Sequence, residues 1–384
     1  KSPVGAFESF GNSRFISIGG WINAIIPILI VPYYSVIGGW VIKYLIEYFA
    51  GHSKTLAGDA YFTTFISNGW STEICFIIFT LFTLGIIYAG VRNGIERVSK
   101  FMMPILIVLS LIIAVYSVTR PGAIEGVKYF LVPNFDHFSW MTVVSAMGQM
   151  FYSLSIAMGI LITFGSYMKK DTSIEKSTEN VEIFDTAIAI MAGLMIIPAV
   201  FAFSGGNAET LKSGPALMFI TIPKVFANMG FGTAIGVVFF LLVLFAAVTS
   251  SIALTESAVS TFEDELHWSR KKSTVFMGMV MLLLGTLSCL GYGPLANFKI
   301  LGMQFLDFFD FITNSVMMPI AAIATCLLVS KVVGVDKIEE EIKKDGQAFR
   351  RKKIFCFMIK YLCPLFAAII LISSVANAFG IITM

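Results

Sequence analysis

The sequence predicts an all-α polytopic membrane protein with about nine transmembrane helices, and three observations carry that prediction. Of the 384 residues, 57% are hydrophobic and only 13% charged. That is about half the charged share of a soluble domain, too little to cover a water-facing surface. The apolar residues gather into runs near the roughly 20 residues that a bilayer core demands of a helix. Loops rich in Lys and Arg alternate with loops poor in them from one run to the next, which is the bias that sets membrane topology.

Taken in order, the runs are Trp21–Glu47, Glu73–Ala89, Phe101–Val118, Met141–Tyr167, Phe184–Phe203, Ala234–Val259, Val275–Leu290, Leu306–Val329 and Phe355–Leu371. No soluble domain fits between them, so residues 1–384 read as one transmembrane domain. Between the fifth and sixth runs, "SGPALMFITIPKVFANMG", Ser213–Gly230, is apolar but too short to span and carries Pro215 and Pro223. It is expected to fold back on the outer face as a hairpin or lid; an ordinary packed loop is the alternative. The longest polar stretch, Lys331–Lys353, reads as a short surface helix and loop. The basic loops hold Lys1 and Arg14, then Arg92, Arg97 and Lys100, then Lys169, Lys170 and Lys176, then Arg270, Lys271 and Lys272, then the 331–353 stretch. This puts the Lys1 end in the cytoplasm and, after nine crossings, the Met384 end outside. The net charge of +3 reflects this asymmetry, not a nucleic-acid surface.

Composition also narrows the chemistry. The five cysteines lie in or beside apolar runs without metal-ligand spacing, and the three histidines do not cluster. They offer no metal centre and no histidine-based catalytic triad.

Polar groups at membrane depth point to function, and four sets stand out. "GQMFYSLSIAMG", Gly148–Gly159, interrupts the fourth run with Gln149, Ser153, Ser155 and two glycines. Broken helices survive in a bilayer only where protein or a water-filled cavity surrounds them, so two half-helices are expected to meet near Ser155–Gly159. A half-helix N-terminus favours an anion, and freed carbonyls favour a cation. The alternative is a continuous helix whose small residues serve packing. In "FAAVTSSIAL", Thr249, Ser250 and Ser251 form a hydroxyl cluster suited to a hard cation or to back-bonding with the preceding turn. Asp185 lies a turn inside the fifth run, as a cation partner or an interfacial anchor. Asp307 and Asp310, spaced i,i+3, share a helix face near the outer end of the eighth run, at a gate or as solvated acids. Oxygen ligands from three separate runs, with no nucleophile–base pair, favour cation-coupled binding over catalysis.

These stretches, with "KSPVGAF", "PYYSVIGGW", "FITIPKVF", "TSSIAL" and "FEDELHWSRKK", resemble the bacterial neurotransmitter:sodium symporters of the LeuT fold over nearly the whole chain. The resemblance implies an inverted-repeat transporter of the eleven-helix variant. Residues 21–118 would be the three remaining helices of the first repeat, 141–329 the second repeat, and 355–380 the final helix. Two helices would precede Lys1 and supply an unwound stretch, sodium ligands and basic gate partners. It further implies sodium-coupled uptake of amino acids, hydrophobic or aromatic, across the plasma (inner) membrane by alternating access. Ile30, Tyr34, Tyr152, Ser153, Ser155, Met158 and Leu254 would meet the substrate. Ser153 and Asp185 would hold a first Na+, and Ala246, Thr249 and Ser250 a second. Asp310, with Asp307 beside it, resembles the outer gate, and Asp264 and Tyr167 resemble parts of the inner gate. Ala157–Met158–Gly159 stands where one family branch has Gly-Phe-Gly, and a flexible Met suits larger side chains. Chloride dependence and oligomeric state are left open. A reading from another class is a non-transporting fragment or remnant of such a symporter.

Overall fold

The computed structural model describes residues 1–11, 13–211, 214–344 and 348–381. Ser213, the Met384 end and part of the 331–353 stretch lie outside the described residues. Eight helices are long and apolar enough to cross a membrane. They are α1 (Arg14–Phe49), α2 (Gly69–Tyr88), α3 (Val91–Val118), α7 (Ile174–Ser204), α9 (Gly232–Glu265), α10 (Arg270–Leu290), α11 (Phe305–Val333) and α13 (Lys352–Ala378). Between them lie α4 (Ala123–Leu131), α5 (Trp140–Ser153), α6 (Ile160–Ser166), α8 (Gly214–Ala227) and α12 (Val335–Lys343). The fourth expected run, Met141–Tyr167, is the α5–α6 pair, and the chain breaks it where Ser155–Gly159 predicts.

Helix α1 is the central pillar. It packs most extensively on α9 and also against α2 and α10. Its Gly39 lets α2 come close: a Cβ there would stand 2.6 Å from the Phe76 backbone nitrogen. Pro27 and Pro32 sit inside α1 and are both buried, in the surroundings that make helix-breaking residues tolerable at membrane depth. The α1–α9 pair places Tyr34 and Thr249 near the middle of the bundle, which fixes where the candidate site lies.

Two expectations are corrected. Helix α7 begins at Ile174, ten residues ahead of the expected Phe184, and Ser173 caps it by accepting from the Lys176 amide. The added turns, "IEKSTENVEI", are polar, and hydropathy marks the bilayer rather than the helix that continues beyond it. Asp185 is therefore about three turns inside the helix, not one. The second correction is Ser213–Gly230: its described part is one 14-residue helix, α8, rather than a hairpin. Pro223 clashes with the carbonyl four residues back and offers no N–H to it. A π-helical turn, Leu217–Thr221, absorbs the defect, and the Tyr44 hydroxyl donates to the Phe219 carbonyl at 2.8 Å. The buried Phe219 ring sits among Trp40, Tyr44 and Phe62, so α8 is pinned onto the bundle. The expected surface helix is α12.

Candidate binding site at the broken helix

Helix α5 ends at Ser153, and α6 starts after Gly159. Between them the backbone turns left-handed three times, at Ser155 (φ 53°), Ala157 (φ 60°) and Gly159 (φ 70°). Left-handed geometry costs a non-glycine residue roughly 1–2 kcal/mol, so Ser155 and Ala157 store strain here. A methyl at Ala157 does not prevent the unwinding. Gly159 has no substitute: a Cβ would meet Pro3 Cγ at 2.7 Å and the Asn23 carbonyl at 2.8 Å.

The break opens a cavity of about 360 Å³. Ile30 and Tyr34 line it from α1, Tyr152 and Ser153 from α5, Ser155 and Met158 from the break, and Thr249, Ser250 and Leu254 from α9. All seven residues expected to meet a substrate are thus brought together, and three of the five expected to meet a cation, Ser153, Thr249 and Ser250, line the same cavity. Met103, Ile160 and Ala253 also line it; they are apolar residues inside apolar runs, which carry no signal in sequence.

The cation candidates divide. The Ser153 hydroxyl donates to Asp185 Oδ1 at 2.5 Å, joining α5 to α7. Thr249 donates back to the carbonyls of Phe245 and Ala246, each at 3.0 Å. This is the back-bonding alternative, and it leaves the lone pairs of the hydroxyl oxygen available. Ala246 is not on the cavity wall but lies one turn before Thr249, within the same bonding arrangement. Among the described residues no group of three or more His, Cys, Asp or Glu is placed to hold a metal ion.

The four gate candidates lie off the cavity wall. Asp310 accepts from the Tyr33 hydroxyl at 3.1 Å and from the Asn314 amide at 2.6 Å, while Asp307 turns to the Tyr292 hydroxyl at 2.9 Å. Burial and the neighbouring Asp307 carboxylate push the Tyr292 phenol above its usual range. Asp264 accepts from the Ser2 amide and hydroxyl at 2.8 and 2.9 Å. Tyr167 donates to Glu256 at 2.7 Å. Glu256 is fully buried and pairs with Arg270 at 2.5 Å. Sequence reasoning missed Glu256, although an acid inside the Ala234–Val259 run is itself the signal.

Comparison with known proteins decides the family. The model of the sodium:neurotransmitter symporter family matches residues 47–381. This chain belongs to that family. An uncharacterized sodium-dependent transporter of Bacillus subtilis, YhdH, is 32% identical over 367 residues, covering 95% of this chain and 80% of the relative. An uncharacterized sodium-dependent transporter of Haemophilus influenzae is 29% identical over 375 residues, covering 95% and 80%. Among solved structures, MhsT in complex with L-phenylalanine matches with a TM-score of 0.84 at 31% identity, covering 97% of this chain and 85% of that one. The symporter is a sodium-dependent membrane transporter of the LeuT fold rather than an enzyme.

Proposed function

We propose that the symporter imports amino acids, hydrophobic or aromatic, by coupling them to Na+ through alternating access at the broken-helix cavity. The observation that carries this reading is the hydrogen bond between Ser153 and Asp185 at the wall of a cavity whose other side is Thr249 and Ser250. It brings side-chain oxygens of three helices close together, which supports the reading. Na+ is cargo here, in two sites: Ser153 and Asp185 for the first, Thr249, Ser250 and the Ala246 carbonyl for the second. Tyr34 and Ser155 would orient the substrate carboxylate, and its side chain would face Ile30, Tyr152, Met158 and Leu254. A cavity of about 360 Å³ suits a single small molecule, and the L-phenylalanine complex of MhsT supports an apolar amino acid. Asp307 and Asp310 would close the outer side, Asp264 and Tyr167 the inner side, as residues 21–118 and 141–329 rock against each other. The basic loops favour a plasma-membrane orientation with the Lys1 end in the cytoplasm.

Uptake of labelled L-phenylalanine into proteoliposomes tests the proposal. Accumulation is expected under an inward Na+ gradient and not under K+, with competition by leucine, tryptophan and tyrosine. Asp185→Ala should abolish the Na+-driven component. Equal uptake under K+, or an Asp185→Ala protein with unchanged Na+ dependence, sinks the assignment. Replacing chloride with gluconate in the same assay reads chloride dependence directly.

A further inference from the structure

Helix α10 opens with three consecutive cations, Arg270, Lys271 and Lys272. Arg270 turns inward to Glu256 and Glu263. The two lysines turn the other way and lie over aromatic faces: the Lys272 ammonium is 4.0 Å from the Trp268 ring centre, and that of Lys271 is 5.8 Å from the Tyr88 ring centre. Among the described residues no carboxylate pairs with either lysine, so both charges stand uncancelled at fixed positions. Below them is a cavity of about 340 Å³, walled by Tyr88, Trp268, Val275 and Met279. It runs on as a ridge of Val275, Met279 and Leu283, spaced four apart and 58%, 57% and 67% exposed.

Each part of this arrangement matches one part of an amphipathic anion. Trp and Tyr are the rings that sit at headgroup level. An uncancelled lysine beside an anionic lipid surface contributes about 1 kcal/mol. The ridge gives a hydrocarbon chain a path along the helix. The Lys271–Lys272 loop is also one of the basic loops of the sequence, the side on which an anionic leaflet acts. A free phosphate or carboxylate would use the lysines and leave the ridge idle. We propose that the groove between α2 and α10 binds one anionic phospholipid, its phosphate between Lys271 and Lys272 and an acyl chain along Val275–Met279–Leu283. None of these residues lines the broken-helix cavity, so the lipid site stands apart from the transport site.

The test reconstitutes the symporter in nanodiscs of equimolar phosphatidylglycerol and phosphatidylcholine, releases it into detergent, and counts retained lipid by native mass spectrometry. Phosphatidylglycerol is expected to stay bound in preference to phosphatidylcholine. Retention should fall about thirtyfold in K271Q/K272Q and stay at the wild-type level in K169Q/K170Q, a basic pair elsewhere. Should the double variant misfold, K271Q and K272Q singly are each expected to lose about fivefold. The proposal is overturned by unchanged retention in these variants or by equal retention of phosphatidylcholine. It is also overturned if millimolar inorganic phosphate displaces the lipid, which would mark a free-anion site. A dimer that covers α10 in either lipid would overturn it too, since a second copy would then be the occupant.

Discussion

The two walls of the binding cavity obtain their oxygens in opposite ways. On the α5–α6 side the backbone is broken, and Ser155 and Ala157 are held left-handed. On the α9 side a 34-residue helix runs without interruption, and Thr249 returns its proton to the preceding turn. The first wall frees main-chain groups and accepts strain. The second stays helical and offers the Thr249 and Ser250 hydroxyls beside the Ala246 carbonyl without strain, and it is stiffened toward its Glu265 end by the Glu256–Arg270 pair. Unwinding and back-bonding both deliver polar atoms at membrane depth, but only unwinding also creates a joint.

Four substitutions test this contrast, from the largest effect to the smallest. Glu256→Ala strips Arg270 of its fully buried partner and should cost about 3–5 kcal/mol, read as a fall in thermal unfolding in detergent. A near-neutral result would remove the stiffening role from the unbroken wall. Gly159→Ala meets both the left-handed φ and the contacts with Pro3 and Asn23. About 3 kcal/mol is expected in the same assay, and a well-folded variant would mean that the break tolerates rearrangement. Thr249→Val keeps the shape and removes the hydroxyl. The fold should hold while the Na+ concentration for half-maximal uptake rises about tenfold, equal to about 1.4 kcal/mol; unchanged Na+ dependence would leave α9 a merely structural wall. Ala157→Gly should stabilise by about 1 kcal/mol, since glycine adopts this geometry freely. A loss of stability would deny strain at that position.

Much of this contrast was legible in the residues. The break could be placed because Ser153, Ser155 and Gly159 stand inside an otherwise apolar run, where each weakens a helix. Thr249, Ser250 and Asp185 were visible for the same reason: a polar group among apolar neighbours is a strong signal. What escaped notice has physical causes. Met103 and Ala253 line the cavity but look like any lipid-facing residue. The first ten residues of α7 are polar because they extend past the apolar layer, so hydropathy ends the helix too early. The two prolines of α8 predict a reversal, whereas a π-turn and the Tyr44 hydroxyl carry the chain through. The pairing of Tyr167 with Glu256 depends on how the end of α6 faces α9, which a linear pattern does not encode.

The break also sets a mechanical ratio. It divides one crossing into an arm of 14 residues and an arm of 7, about 21 Å and 10.5 Å long. Pivoting by the same angle, the longer arm sweeps its tip twice as far, about 3.7 Å against 1.8 Å for ten degrees. A pivot that moves the tip of the 14-residue arm by the breadth of a water molecule moves the tip of the 7-residue arm by half as much.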